Sequence, residues 1–209
     1  MPRLMAPFIV CLCSMATVAI GLTHFRNAWL ALLLYHAVLL VALTLRKNPT
    51  FDWNELRRGF SFSYVCVATT VFSLITIYLF QKLIALDPSG AYIAKRFARV
   101  GLTPATFIPF VVYTIIINPI LEETYWRGNY ASTHRTAYLN DLCFGLFHLP
   151  IYAHYANLTV ILGSIAGITL LGLFARMLAK RLDGLATPII IHAMSDLAVL
   201  TAMGFVVFR

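Results

Sequence analysis

The chain has 209 residues, of which 60% are hydrophobic and only 11% are charged, and its mean hydropathy is +0.82. Because soluble domains average about 25% charged residues, this composition excludes an ordinary soluble domain and predicts an integral, multi-pass membrane protein. We interpret the net charge of +8 as basic loops beside anionic lipid, and we expect the lipid bilayer but no nucleic acid as a partner.

Seven apolar segments are each close to the roughly 20 residues that a helix needs to cross a bilayer. They cover residues 5–23, 28–45, 62–86, 104–121, 137–149, 158–178 and 185–208. The fifth is short and is interrupted by Asn140 and Asp141, so we expect it to be buried against other helices. The sequence therefore predicts an all-α fold, a polytopic transmembrane bundle of about seven spans, in a single membrane domain of residues 1–209.

The remaining segments give weaker signals. Residues 52–57 are typical of a capped interfacial helix, and the basic, partly apolar residues 91–100 predict a helix that lies on the membrane surface. His36, inside the second span, is predicted to be a packed or hydrogen-bonded histidine. In the sixth span, Gly163 and Gly167 form a small-xxx-small pair suited to close helix packing. The basic residues divide ten to six between the two sides, which favours a cytoplasmic N-terminus.

Two adjacent carboxylates, Glu122 and Glu123, stand at the end of the fourth span. An ionisable residue costs roughly 2.5–3.5 kcal/mol at the centre of a membrane helix, so a functional site is the default hypothesis. Since successive helical residues are about 100° apart, the two side chains should point to different faces. Glu123 can pair with Arg127 one turn later, whereas Glu122 has Trp126 at that spacing. Glu122 is therefore the candidate for chemistry; the alternative is a helix end that reaches the membrane interface.

Two further polar clusters lie downstream, Phe144 with His148 in the fifth span and His192 with Asp196 in the seventh. Taken singly, His148 could be a satisfied core histidine, and the other two could form a structural hydrogen bond one turn apart. Taken together, we expect them to converge with Glu122 in one cavity between spans four, five and seven. A carboxylate there can activate water while imidazoles shuttle protons and stabilise an oxyanion, or two histidines and the glutamate can bind catalytic zinc.

The order of these motifs resembles that of a known family. Glu-Glu-x-x-x-Arg at residues 122–127, Phe-x-x-x-His at 144–148 and His-x-x-x-Asp at 192–196 are similar to the motifs of the CAAX protease and bacteriocin-processing (CPBP, or Abi) family. This family includes the type II CAAX prenyl endopeptidases. The resemblance covers about residues 107–207.

The resemblance divides the domain and shows two departures. Residues 104–208 would form the catalytic core, and residues 1–103 match only as variable N-terminal spans. Residues 124–126, Thr-Tyr-Trp, replace the commoner aliphatic and aromatic residues of the first motif. Asp196 stands where the eukaryotic prenyl proteases have Asn, so this position is where we expect the site to differ from theirs.

By resemblance, the chain is expected to be an intramembrane endopeptidase that uses glutamate-activated water. Glu122 would be the general base, assisted by His148. His192 and Asp196 would bind the oxyanion, with Asp196 either protonated or orienting the imidazole. The supporting residues would be Glu123, Arg127 and Phe144. No metal or other cofactor is expected, with a zinc-dependent intramembrane metalloprotease as the alternative.

The resemblance also implies the setting of the reaction. The partner would be a membrane-anchored protein or peptide substrate, prenylated or not, in the membrane of a bacterial or archaeal cell. Two other functions compete with proteolysis. One is a non-catalytic binding or immunity protein of the same fold. The other is a proton-coupled transporter, against which the sequence shows neither inverted repeats nor paired interrupted helices.

Overall fold

The computed structural model describes residues 5–45, 53–86, 90–128 and 136–208. Over these ranges the chain forms ten α-helices and no strand, so the predicted all-α class is confirmed. In chain order the helices are α1 (Met5–Thr23), α2 (Ala28–Thr44), α3 (Trp53–Arg57), α4 (Phe62–Leu86), α5 (Ala91–Arg99), α6 (Pro104–Arg127), α7 (Thr136–Leu146), α8 (Leu149–Ala153), α9 (Leu158–Leu182) and α10 (Ala186–Val207).

Four helices of the described chain are long and apolar enough to cross a membrane. They are α1 from Ala6 onwards, α6, α9 and α10. The apolar parts of α2 and α4, Ala28–Thr44 and Phe62–Tyr78, are shorter. The protein is therefore an integral membrane protein, and the count of seven spans stays a prediction.

The segment predicted as the fifth span does not form one long helix. α7 has 11 residues, which at 1.5 Å per residue is about half the thickness of the hydrocarbon core. A turn at residues 147–148 separates it from α8, which has Pro150 in its first turn, where proline is tolerated. The expected burial is present, because Asn140, Asp141 and Phe144 are all buried where α7 packs against α9 and α1.

The helices predicted at the membrane surface are present as α5 and α3. The apolar side of α5 faces the protein, since Ile93 and Phe97 are buried and the Phe97 ring packs against Phe107 and Tyr155. Its exposed side carries the basic residues. α3 matches the predicted interfacial helix, whose proposed cap, Asp52, lies outside the described residues.

The polar site depends on how α6 is divided between lipid and protein. Thr103 caps its first turn in a reciprocal capping box with Thr106. The first half of α6 exposes apolar side chains such as Ile108, whereas residues 122–127 are all buried. α10 packs along α6 and also contacts α4, α9 and α5. The charged end of α6 is therefore enclosed by protein.

Candidate active site

A cavity of about 290 Å³ lies inside the bundle, and its walls are mostly apolar. The four residues predicted to be catalytic all border it, namely Glu122 of α6, His148 between α7 and α8, and His192 and Asp196 of α10. The structure thus brings together side chains that are up to 74 positions apart (196 − 122) in the sequence. Their chemical roles stay predictions at this point.

The pair expected from helical spacing is present. Arg127 Nη1 donates to Glu123 Oε1 at 2.9 Å, and both side chains are almost fully buried. The guanidinium also stacks on the Phe144 ring, 3.8 Å from its centroid. A second partner of Glu123 was not predicted: His192 Nδ1 lies 2.8 Å from the same oxygen. Because an ionised carboxylate can only accept, the imidazole carries a proton on Nδ1 and donates it to Glu123.

Glu122 lies on the other side of the same imidazole. Its Oε2 is 3.5 Å from His192 Nε2 and, among the residues that the structure describes, has no hydrogen-bond partner. The buried hydroxyl of Tyr35, on α2, faces this carboxylate. The two glutamates were expected on different helix faces. They flank one imidazole, whose two ring nitrogens allow it to face both carboxylates.

Asp196 does not form the hydrogen bond to His192 that its spacing suggested, and it binds Asn118 instead. Its Oδ2 is 3.6 Å from His192 Nε2, which is too long for the one-turn hydrogen bond considered from the sequence. The same oxygen accepts a hydrogen bond from Asn118 Nδ2 at 3.2 Å. About a quarter of the Asp196 side chain is exposed, towards the cavity that it lines. Its hydrogen bond in the structure is therefore with α6.

His148 is held by its own helix. Its Nδ1 lies 2.9 Å from the carbonyl oxygen of Phe144, four residues earlier, and its ring packs on Phe147. Since a carbonyl only accepts, Nδ1 carries the proton, and Nε2 of the neutral ring is an acceptor. The satisfied-core alternative accounts for Nδ1, and the residue also borders the cavity.

A second ion pair supports the first and was not predicted. Arg176 of α9 donates from Nε and Nη2 to Asp141 Oδ2 of α7, at 2.9 and 2.7 Å, and both side chains are buried. Gly172, one turn before Arg176, allows α9 to approach, because a Cβ there would lie 2.6 Å from Arg127 Nη2 and 3.1 Å from Phe144.

The fit of these residues to zinc can be tested by geometry. In the described part of the chain, no three His, Cys, Asp or Glu side chains are arranged to hold a metal ion. His148 uses Nδ1 on the Phe144 carbonyl, and Glu123 is bound to Arg127. The described residues do not provide a ready zinc site, and metal independence remains a prediction.

Comparison with known proteins gives one finding. Residues 103–198 match the family model described as "Type II CAAX prenyl endopeptidase Rce1-like". No curated protein and no solved structure matches. The matched segment begins at the cap of α6 and contains the three motifs, from Glu122 to Asp196. Over residues 103–198 the chain is therefore similar to the Rce1-like type II CAAX prenyl endopeptidases, a family of proteases.

Proposed function

We propose that the protein is an intramembrane endopeptidase that hydrolyses a peptide bond of a membrane-associated protein or peptide with water activated by Glu122. One observation carries this proposal: Glu122 is buried at the cavity with an oxygen that no described residue binds, while the neighbouring Glu123 holds both Arg127 and His192. A buried carboxylate oxygen without a partner is costly, and it is placed to bind a water molecule.

The reaction needs one base that later becomes an acid. Glu122 accepts a proton from water, and the water oxygen forms a bond to the scissile carbonyl carbon. The carbonyl oxygen takes up the displaced electron pair as an oxyanion. When the carbon–nitrogen bond breaks, Glu122 returns its proton to the leaving amine. His148 assists, because its Nε2 can accept the second hydrogen of the water and so orient its lone pair towards the carbonyl.

In its imidazolium form, with a proton on Nε2 as well as on Nδ1, His192 is placed to stabilise the oxyanion. Glu123 holds the ring through Nδ1, and this directs Nε2 towards Glu122 and Asp196. A group that is oriented before the reaction stabilises developing charge without reorganisation, and in many enzymes this stabilisation contributes more to the rate than any other single effect. Arg127 neutralises Glu123, so the anchoring carboxylate can remain ionised at this depth.

The substrate class follows from the cavity wall. Apolar side chains of α2, α8 and α10, such as Leu32, Ile151 and Leu200, line it together with the polar residues. Such a wall favours an apolar segment beside the scissile bond, as a membrane-anchored protein or peptide provides. The bilayer delivers that substrate and the cavity supplies the water.

The test replaces one carboxylate oxygen of Glu122 by an amide nitrogen. In proteoliposomes, the Glu122→Gln protein should cleave prenylated and unprenylated membrane-anchored reporter peptides at least about 10²–10⁴-fold more slowly than the wild type, because it lacks the general base. Its melting temperature should not fall. Asp183→Asn is a matched control: it makes the same carboxylate-to-amide change at an exposed position whose φ of 50° also suits Asn.

Two outcomes would contradict the proposal. A folded Glu122→Gln protein that cleaves at the wild-type rate would show that this carboxylate is not the base. A wild type that binds the reporters without cleaving any of them would favour a non-catalytic binding protein.

A further inference from the structure

A chain of hydrogen bonds leads from α2 through α6 to Asp196 of α10. Tyr113 Oη lies 3.0 Å from His36 Nδ1, and His36 Nε2 lies 3.0 Å from Asn118 Oδ1. Asn118 Nδ2 then donates to Asp196 Oδ2 at 3.2 Å. Three of the four residues, Tyr113, His36 and Asn118, have no part in the mechanism above. His36 also lies outside the segment that matches the family.

The side chains of His36 and Asn118 are held tightly. His36 is 3% exposed and Asn118 is 6% exposed, and a buried polar group is costly unless it is hydrogen-bonded. The His36 ring also stacks on Tyr113, with centroids 5.5 Å apart and planes 28° from parallel. The packing and the hydrogen bonds therefore fix the same orientation of the histidine.

The direction of each bond can be deduced. The Asn118 oxygen can only accept, so His36 Nε2 carries a proton and donates it. The neutral His36 ring then accepts at Nδ1 from the Tyr113 hydroxyl. The Asn118 nitrogen can only donate, so Asp196 Oδ2 accepts. All three donors point along the chain towards the same carboxylate oxygen.

We propose that His36 and Asn118 are positioning residues for the active site, which hold Asp196 as a hydrogen-bond acceptor beside His192 Nε2. The inference rests on the proposed function and extends it to a residue of α2. It selects between the two roles considered for Asp196. Oδ2, the Asp196 oxygen nearest His192, already accepts from Asn118, and this favours the role in which Asp196 orients the imidazole.

In this arrangement the His192 ring is positioned from both ends. Glu123 of α6 fixes Nδ1 by a hydrogen bond of 2.8 Å, and the Asp196 carboxylate attracts a protonated Nε2 as an ionic contact at 3.6 Å. α6 thereby contributes to both ends, through Glu123 directly and through Asn118 by way of Asp196. A shift of Asp196 would rotate the ring about its bond to Glu123 and displace Nε2 from the substrate carbonyl.

The first experiment compares His36→Leu with His36→Gln in proteoliposomes. Leu cannot donate to Asn118, whereas the Gln amide can take the place of Nε2–H. We expect His36→Leu to lower kcat by about 10- to 100-fold with little change in KM, the range seen when a supporting hydrogen bond is lost. His36→Gln should recover most of kcat. His24→Leu, at an exposed turn after α1, is the matched control and should leave kcat unchanged.

A second experiment tests whether the effect passes through Asp196. In an Asp196→Ala background, with cleavage followed over long incubations, His36→Leu should cause no further loss, because the two residues act as one unit. The melting temperatures of the same four proteins should be non-additive in the same way. An equal loss in both backgrounds, or a His36→Gln protein as slow as His36→Leu, would overturn the inference in favour of a packing role.

The two proposals fail in different ways. A wild type that cleaves the reporter while His36→Leu keeps its full kcat overturns the positioning role alone. A wild type that cleaves no reporter overturns the proposed function, and the positioning role with it.

Discussion

The last turn of α6 lies between two charged regions that differ in how closely their charged groups are paired. On one side lies an ion-pair layer, formed by Glu123, Arg127, Asp141 and Arg176, in which the partners of each pair are 2.7–2.9 Å apart. On the other side lies a cavity face, formed by Glu122, His148 and Asp196. There the shortest approach of Glu122 to a basic group is 3.5 Å. Neighbouring glutamates can thus be structural and chemical, according to whether the fold supplies a counter-charge.

Substitutions in the ion-pair layer should lower stability strongly only when they remove one member of a pair and leave the other buried. Removing one member of a buried pair leaves a buried charge and typically costs about 3–5 kcal/mol, whereas replacing both members by apolar residues is often neutral. Among the residues that the structure describes, Glu122 has no arginine or lysine paired with it, and His192 Nε2 lies 3.5 Å away. Neutralising Glu122 should therefore remove the cost of burying an unpaired charge. Neutralising Glu123 should have the opposite effect, because it leaves the Arg127 charge buried and unpaired.

The largest expected effect on stability is that of Glu123→Gln. It should lower the free energy of unfolding by about 3–5 kcal/mol, because Arg127 would be left buried without its counter-ion. Arg127→Gln should do the same, and the double variant should be no worse than either single variant. Thermal unfolding in detergent measures all three. Glu122→Gln is the comparison, and a loss of stability as large as that of Glu123→Gln would contradict the distinction between the two regions.

The second pair should show a smaller effect of the same kind. Arg176→Met should cost about 3 kcal/mol, at the lower end of the range, since this side chain is slightly more exposed than Arg127. Adding Asp141→Leu should restore most of the melting temperature by removing the orphaned carboxylate. The surface pair Arg58–Asp183 is the control. Arg58→Met should cost at most about 1 kcal/mol, because both side chains of that pair are more than half exposed.

The approach of α9 to the ion-pair layer can be tested with two glycines. In Gly172→Ala the new methyl would lie 2.6 Å from Arg127 Nη2, so we expect a loss of about 1–3 kcal/mol from overpacking, with a fall in kcat as Arg127 moves. Gly167→Ala on the same helix has no atom within 4 Å of its Cβ and should gain up to about 1 kcal/mol from helix propensity. Equal effects at the two positions would mean that the close contact is not needed.

Sequence reasoning succeeded where a feature is local to one helix. The bounds of α1 and α4 agree with the predicted spans, and the Glu123–Arg127 pair follows from helical spacing alone. The Gly163–Gly167 pair was a wrong choice of packing surface. Gly163 is exposed and a Cβ at Gly167 would meet no atom of the described residues within 4 Å, whereas Gly172 on α9 makes a close approach to Arg127.

The contacts that define the site are not local. Glu123 meets His192 across 69 residues, His36 meets Asn118 across 82, and Asp141 meets Arg176 across 35. Such contacts depend on how each helix is rotated and how deep it lies, and periodicity in a nearly uniform apolar helix does not specify either. The motifs nevertheless indicated which side chains converge, because ionisable residues are rare in membrane helices and are expected to face protein or a cavity.

The smallest expected effect is that of metal removal, which tests whether the cavity face obtains its counter-charge from zinc. Among the described side chains, no three possible ligands are suitably arranged, and the Nδ1 of His148 is already committed to the Phe144 carbonyl. We therefore expect that dialysis against a chelator leaves kcat unchanged and that elemental analysis finds only substoichiometric zinc. Stoichiometric zinc that is lost together with activity, and regained with it on adding zinc back, would instead make Glu122, His148 and His192 its ligands. Glu122 would then have a counter-charge too. The ion-pair layer would obtain its counter-charge from arginine and the cavity face from zinc.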